Sequence, residues 1–528
     1  MIKALVSDAL GMPAIYDEIG IPGPWMDELK RLWLKGHSDL RLPGYPEIGR
    51  LLARLRENPS LDEAGRWQLG NIPKAFGTES RSDTPYALHE LFLIKEFLFH
   101  YGKLQLWSSR EALTDKSLPD LDPIFKALDP EGSATPVFRL GPAFGATLAR
   151  IATQRLELEA RLEGARQDHF NQAAAKLRIK ALDSEFIVPR SDRELCSRLS
   201  RGADFVLVSE SVANLRFRLA DDAATLRLLK RLERLERRRH HAEERVLKRL
   251  SRFLSARMPL IRKAFKALEH FSLAFMLADF GWRHDGVVPK LGGKSVRIKG
   301  AVNLPLKLHL EAQGRAYQAI DLDFEPRGNL ITGPNMGGKS CALQTLGQLV
   351  RLTQLRVPLP CREASLPRID NIWLNQDDSS RGADLSAFGR EVVSFTEALR
   401  MPGKSLLLLD EFARGTNPAE GEALLCAILR YLKTTGHLVV AATHFSAPAL
   451  MKELAQYTIA GPKLAEQDAS SGSPDSPEER LKQLSRQMDY RLKRLARGKV
   501  PPHSAIRIAT ILGLPEAILR FIPEGSKP

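Results

Sequence analysis

Apolar residues recur at helical spacing through most of the first half of the chain and at strand spacing through most of the second. Up to about Ala134, proline breaks separate short helical patterns, of which "PYALHELFLIKEFLFHYGKL" from Pro85 is the clearest. From Pro142 to about Leu182 a long helical pattern runs without an internal proline, and "EFIVPR" and "DFVLVSESVANLRFRL" then alternate apolar and polar residues as strands do. Between Leu226 and Lys263 leucines return at spacings of three and four among arginines, which predicts a long amphipathic helix or a helix pair. "AFKALEHFSLAFMLADFGW" closes that run with a more apolar helix. The pattern predicts a mostly helical region over residues 1–134 and two long helical arms with a small β-containing tip over residues 135–285. Beyond Gly286 short apolar strands alternate with helices, the mark of a parallel α/β sheet over residues 286–528. Within it, the acidic Ser/Pro-rich "EQDASSGSPDSPEE" from Glu466 reads as a disordered loop.

Composition adds a soluble character and a sign of charge. The longest apolar runs, "LLLL" from Leu406 and "HLVVAA" from His437, fall far short of the roughly 18 to 20 residues of a membrane span, so no membrane association is expected. Asp8 interrupts the weakly apolar start, which makes a poor secretory signal. Cys196, Cys341, Cys361 and Cys426 are scattered without a C-x-x-C pair, and a reducing, cytoplasmic setting without disulfides is expected. The formal charge of +15 points to a polyanionic partner, and part of the excess lies in the arginine-rich arm with its triplet Arg237, Arg238 and Arg239. Such a run is either a solvated helix face or a nucleic-acid contact. No aromatic residue interleaves with it before Phe253, which speaks against a stacking platform for single strands.

The chemistry concentrates in three short stretches. "GPNMGGKS", Gly333 to Ser340, satisfies G-x-x-x-x-G-K-[ST] between the strand-like "GNLIT" and the helical "CALQTLGQLVRL". Backbone N–H groups of such a loop converge on phosphates at a helix N-terminus. The candidate nucleotide cradle is therefore Gly333, Pro334, Asn335, Met336, Gly337, Gly338, Lys339, Ser340 and Cys341, with Lys339 on the β and γ oxygens of ATP and Ser340 on Mg²⁺. In "SLLLLDEFARGT" an apolar strand ends in Asp410 and Glu411, where one carboxylate can hold the metal shell and the next can orient and deprotonate the attacking water. "HLVVAATHF" delivers His444 at its polar end, where an imidazole can sense the γ-phosphate.

"TGPNMGGKS", "LLLLDEFARGTNPAEG" and "AATHF" together resemble the ATPase domain of the MutS family. That resemblance implies a mixed fold: a helical core with long lever helices and a small clamp, followed by an α/β P-loop ATPase domain of ABC/MutS type. "MDYRLKRLARGKVPPHSAIRIATILGLPEAILRF" is similar to the family's closing dimerisation segment. A homodimer or MutS-like heterodimer is implied, in which each ATPase domain completes its partner's nucleotide site. The matching trans element is Ser386, Phe388 and Glu391 in S-x-F-x-x-E, with two extra residues between Asp378 and Ser386. The chain opens without a convincing Phe-x-Glu wedge of the mismatch-reading relatives. Its "DEFARGTNP" resembles a branch whose ATPases reactivate cobalamin-dependent aminomutases. Two partners therefore stand as expectations, duplex or branched DNA gripped between basic arms and an aminomutase protein client, with the charge favouring DNA.

Overall fold

The computed structural model describes residues 2–20, 42–73, 84–114, 118–177, 185–202, 204–333, 338–375, 387–462 and 488–496, together with 515, 518 and 521. Pro334, Asn335, Met336, Gly337 and Ser386, the acidic Ser/Pro-rich stretch and most of the closing segment lie outside the described residues. The chain divides into two compact units, one formed by Ala75–Gln105 and Pro119–Phe265, the other by Met1–Lys74, Leu106–Leu118 and Lys266–Pro528.

The first of these units contains the arms. The helical pattern expected from Pro142 begins as a 3-10 turn, Pro142–Phe144, and restarts as the helix Ala146–Leu177. A small antiparallel sheet follows, built from β1 (Glu185–Pro189), β2 (Phe205–Glu210) and β3 (Asn214–Leu219) in the order β1-β3-β2. The alternating run after Asp204 is thus a hairpin, turned where Ser211 N–H donates to Asn214 O at 2.8 Å. A short helix, Arg193–Arg201, enters between β1 and β2, its start fixed by Asp192 accepting from Leu195 N–H. Val188, Leu199, Phe205 and Phe217 form the tip's small core. Between Leu226 and Lys263 the structure decides for a single helix, because Ala223–Arg283 is continuous over 61 residues. Its internal Pro259 lies on an exposed face, where solvent can replace the missing hydrogen bond.

The other unit begins with helices, Ile2–Ala9, Met12–Glu18, Tyr45–Glu57 and Ser60–Gly70. Its strands are β4 (Lys290–Leu291), β5 (Val296–Ala301), β6 (Ile320–Phe324), β7 (Asn329–Thr332), β8 (Glu363–Leu366), β9 (Asn371–Leu374), β10 (Ser405–Asp410), β11 (Leu438–Ala442), β12 (Ala455–Pro462) and β13 (Met488–Leu495). They form two sheets, β4-β8-β5-β6 and β13-β12-β7-β11-β10-β9. In the six-stranded sheet every pairing is parallel except that of β13 with β12, as the alternation of strands and helices predicted. The four-stranded sheet corrects that expectation: β5 runs antiparallel to both β6 and β8.

The run of leucines in β10 follows from burial on both faces, the condition of a central parallel strand. Leu407 and Leu409 pack into a core with Phe395 and with Leu425 and Leu429 of the helix Pro418–Thr434. Leu408 faces the other way, onto the helix Lys339–Gln354. There Gly347 leaves no room: a Cβ would lie 2.5 Å from Leu10 Cδ2 and 3.1 Å from Leu408 Cδ1. Gly347→Ala is accordingly expected to destabilise by about 1–3 kcal/mol through overpacking. Gly102→Ala, in the helix Leu88–Arg110 with nothing within 4 Å of the added carbon, should instead stabilise by up to about 1 kcal/mol. Urea titration of the two variants beside the parent checks both signs.

Candidate active site

Strands β7, β11 and β10 are neighbours in parallel register, Ala442 opposite both Ile331 and Asp410. Their carboxyl ends therefore open on one edge of the sheet, where open α/β sheets bind ligands. β7 delivers Gly333, β10 delivers Asp410 and Glu411, and β11 delivers Thr443 and His444.

The helix Lys339–Gln354 starts at Gly338, whose φ of 86° is a left-handed conformation that glycine adopts without strain. Ala342 N–H donates to Gly338 O at 3.0 Å, and the N–H groups of Lys339, Ser340 and Cys341 form the helix's first turn, whose donors point out along the axis. These donors and the positive end of the helix dipole suit an anion. The Cys341 side chain takes no part, because its sulfur accepts from Asn303 Nδ2 at 3.8 Å and burial pushes its thiol pKa up. A Cβ added at Gly338 would lie 3.1 Å from the Tyr490 ring, so an aromatic side chain of β13 borders the loop.

Lys339 is buried, donates to Gly333 O at 2.8 Å and stands 3.6 Å from Glu411 Oε1. Burial lowers its ammonium pKa, while the Glu411 and Asp410 carboxylates pull it back up. Asp410 shows the opposite shift: burial raises its pKa, against a hydrogen bond from Ser340 and the charge of Lys339. Its Oδ1 is buried and has no hydrogen-bond partner among the described residues. Glu411 Oε2 hydrogen-bonds His444 Nδ1, a contact an ionised carboxylate makes as acceptor from an Nδ1–H. Lys339, Ser340, Asp410, Glu411 and His444 thus form one contiguous set of side chains.

The expectation that the strand ends in both Asp410 and Glu411 needs correction. β10 ends at Asp410, and Glu411 and Ala413 adopt left-handed φ of 53° and 63°. This turn drops Phe412 into the core, 5.5 Å from the Phe395 ring and 6.4 Å from that of Trp373. Two residues hold it. Asn375, just beyond β9, donates to Asp410 O at 2.6 Å and accepts from Asp410 N–H. Glu391, on the helix Ala387–Leu399, accepts from Asn375 Nδ2 at 2.8 Å and from Ala413 N–H at 3.0 Å. Sequence reasoning misses Asn375. Its only signal there is a polar residue directly after the apolar "NIWL". The sequence pattern assigns Glu391 to a trans element and gives no hint of these contacts within its own chain. Phe388 packs against the same core.

The arrangement defines a class of site first: an anion seat at a helix N-terminus, beside a lysine and a pair of carboxylates at the carboxyl edge of a parallel sheet. Comparison with known proteins then shows which family the chain resembles. Residues 329–523 match the model of MutS domain V. A protein named Endonuclease MutS2 from Brevibacillus brevis is 28% identical over 294 residues, 55% of this chain and 34% of its own. Its namesake from Halothermothrix orenii is 26% identical over 383 residues, 70% of this chain and 45% of its own. That from Listeria monocytogenes is 34% identical over 205 residues, 38% of this chain and 26% of its own. The resemblance to the MutS family carried by the three motifs is thereby borne out, while the chain aligns with less than half the length of these relatives.

Glu391→Ala removes the acceptor of two hydrogen bonds and should loosen the turn without unfolding the sheet. Faster amide exchange at Ala413 and its neighbours, with protection of β10 and β11 retained, is the expected hydrogen-exchange result.

Proposed function

We propose that the chain is a MutS-type ATPase with a P-loop domain of ABC/MutS type, hydrolysing ATP to ADP and phosphate and using the nucleotide state to control its hold on DNA. The observation that carries the reading is the convergence of Lys339, Ser340, Asp410, Glu411 and His444 beside a helix N-terminus. Lys339 compensates charge on the β- and γ-phosphates, and the N–H groups of Lys339, Ser340 and Cys341 cradle them. Glu411 orients the attacking water and takes its proton, and His444, tied to Glu411 through Nδ1, presents Nε2 toward the γ-phosphate.

The donor set fits Mg²⁺. Asp410 Oδ1 is a buried, unpartnered oxygen beside the Ser340 hydroxyl, and Mg²⁺ commonly takes only one or two protein oxygens, keeping water and phosphate for the rest. Among the described residues there is no cluster of three His, Cys, Asp or Glu side chains set to hold a metal, so Ser340 and Asp410 are the ligands we assign. When bound, the ion neutralises charge building on the transferred phosphoryl oxygens.

A homodimer or a heterodimer with a MutS-like partner would let the segment around Ser386 complete the opposite site. DNA is the partner we favour, on the charge of +15. The aminomutase reading rests on the missing wedge and on Phe412 and Ala413. Phe412 and Ala413 are core residues, and their packing accounts for them without reference to a client. No helix among the described residues is long and apolar enough to cross a membrane.

Two variants separate binding from chemistry. Lys339→Ala should abolish ATP turnover and weaken nucleotide binding, and unchanged steady-state hydrolysis would sink the assignment. Glu411→Ala should keep nucleotide affinity and lose about 10²–10⁴-fold in hydrolysis, with ATP trapped in the protein. Chelation of Mg²⁺ by EDTA should stop turnover in the parent as well.

A further inference from the structure

The helices Ala146–Leu177 and Ala223–Arg283 enclose a groove of about 340 Å³ within the arm unit. Leu158 and Leu235 line it together with Gln154, Glu157 and four arginines, Arg161, Arg231, Arg234 and Arg238. On the second helix the arginines fall at i, i+3 and i+7, a single stripe along one face.

These arginines differ from Arg237 and Arg239 in their partners. Arg237 pairs with Glu233 at 2.7 Å, Arg239 with Glu236 at 2.8 Å and with Glu243 at 3.4 Å. Arg155 bridges the two helices to Glu236 at 3.1 Å. Arg161, Arg231, Arg234 and Arg238 make no ion pair among the described residues. Spacing explains the difference on the second helix, where partners would lie three or four residues away. Around Arg231, Arg234 and Arg238 those positions hold leucine, alanine, histidine, lysine or arginine, never a carboxylate. Glu157 is the groove's only acid, set against four guanidinium groups.

Like charges held together in a groove repel unless an anion joins them, and guanidinium forks match phosphate oxygens in pairs. The apolar floor gives no reason for the charges, and Arg237 and Arg239 nearby already carry their own counter-charges. We infer that this groove is a seat for the phosphodiester backbone of a nucleic acid, with Arg161, Arg231, Arg234 and Arg238 contacting consecutive phosphates. The arginines read backbone charge, and they outnumber the lining's other polar groups, Gln154 and Glu157. Binding through the groove is therefore independent of sequence and steeply salt-dependent. This inference deepens the DNA reading above and rests on it.

The test compares two double variants of the full chain, Arg231→Gln with Arg234→Gln in the groove and Arg237→Gln with Arg239→Gln on the paired face. Fluorescence anisotropy of a labelled duplex at several salt concentrations gives affinity and the slope of log affinity against log salt. The groove variant should bind more weakly and flatten the slope by up to about 0.9 for each phosphate that is no longer neutralised, whereas the paired-face variant stays near the parent. Circular dichroism confirms that both keep their helices. Equal weakening in the two variants would overturn the groove assignment, since general charge would then suffice. A parent that binds duplex and a groove variant that matches it would overturn the groove and leave DNA binding standing. A parent that binds no duplex at low salt would overturn both.

Discussion

The candidate site depends on one strained turn. Continued as a strand, the chain after Asp410 would send the side chains of residues 410 and 411 to opposite faces. The left-handed conformations of Glu411 and Ala413 instead bring Glu411 beside Lys339 and His444 while Asp410 stays next to Ser340. Two left-handed non-glycine residues cost about 1–2 kcal/mol each. Burial of Phe412, roughly 1.5–3 kcal/mol, and the hydrogen bonds from Asn375 and Ala413 to Glu391, each roughly 1 kcal/mol, offset that cost. The turn is held by its surroundings and not by local preference, which is the usual state of strained backbone at functional sites.

Burial sets the electrostatics of the same edge. Lys339 is driven toward its neutral form and Asp410 toward its protonated form, while their mutual attraction opposes both shifts. In a site of reduced dielectric each of these charges acts more strongly on a neighbour than it would in water. A phosphate brought to the helix N-terminus would favour the charged lysine, and a divalent ion beside Ser340 would favour the ionised aspartate. Both ligands would therefore push against the direction in which burial alone pushes the protein, and binding of one would favour the charge state that suits the other.

Part of this edge could be read from the chain. The leucine run marked a doubly buried strand, the glycine-rich segment preceded a helix start, and Lys339, Ser340, Asp410, Glu411 and His444, expected to act together, lie together. The turn at Glu411 was not legible, because nothing in "DEFARG" distinguishes an alternating strand end from a left-handed step; only the tertiary contacts of Asn375 and Glu391 make that distinction. The antiparallel pairings of β5 escaped for a similar reason. Short apolar strands between helices carry no record of direction, which is fixed by pairing across distant segments. The continuity of the helix Ala223–Arg283 through Pro259 depends on which face the proline occupies, and the amphipathic pattern left that open.

The arm presents the converse case, where the information was in the sequence and the obvious feature concealed it. The triplet Arg237, Arg238 and Arg239 draws the eye as a block of charge, yet consecutive residues on a helix point in three directions. Two of the three meet glutamates one turn away, and a paired guanidinium releases little counterion when a polyanion approaches. What matters for a charged partner is the charge left after local pairing, counted along a face and not along the chain. By that count Arg231, Arg234 and Arg238 stay unpaired along one stripe of the helix, and that stripe lines the groove against the neighbouring helix.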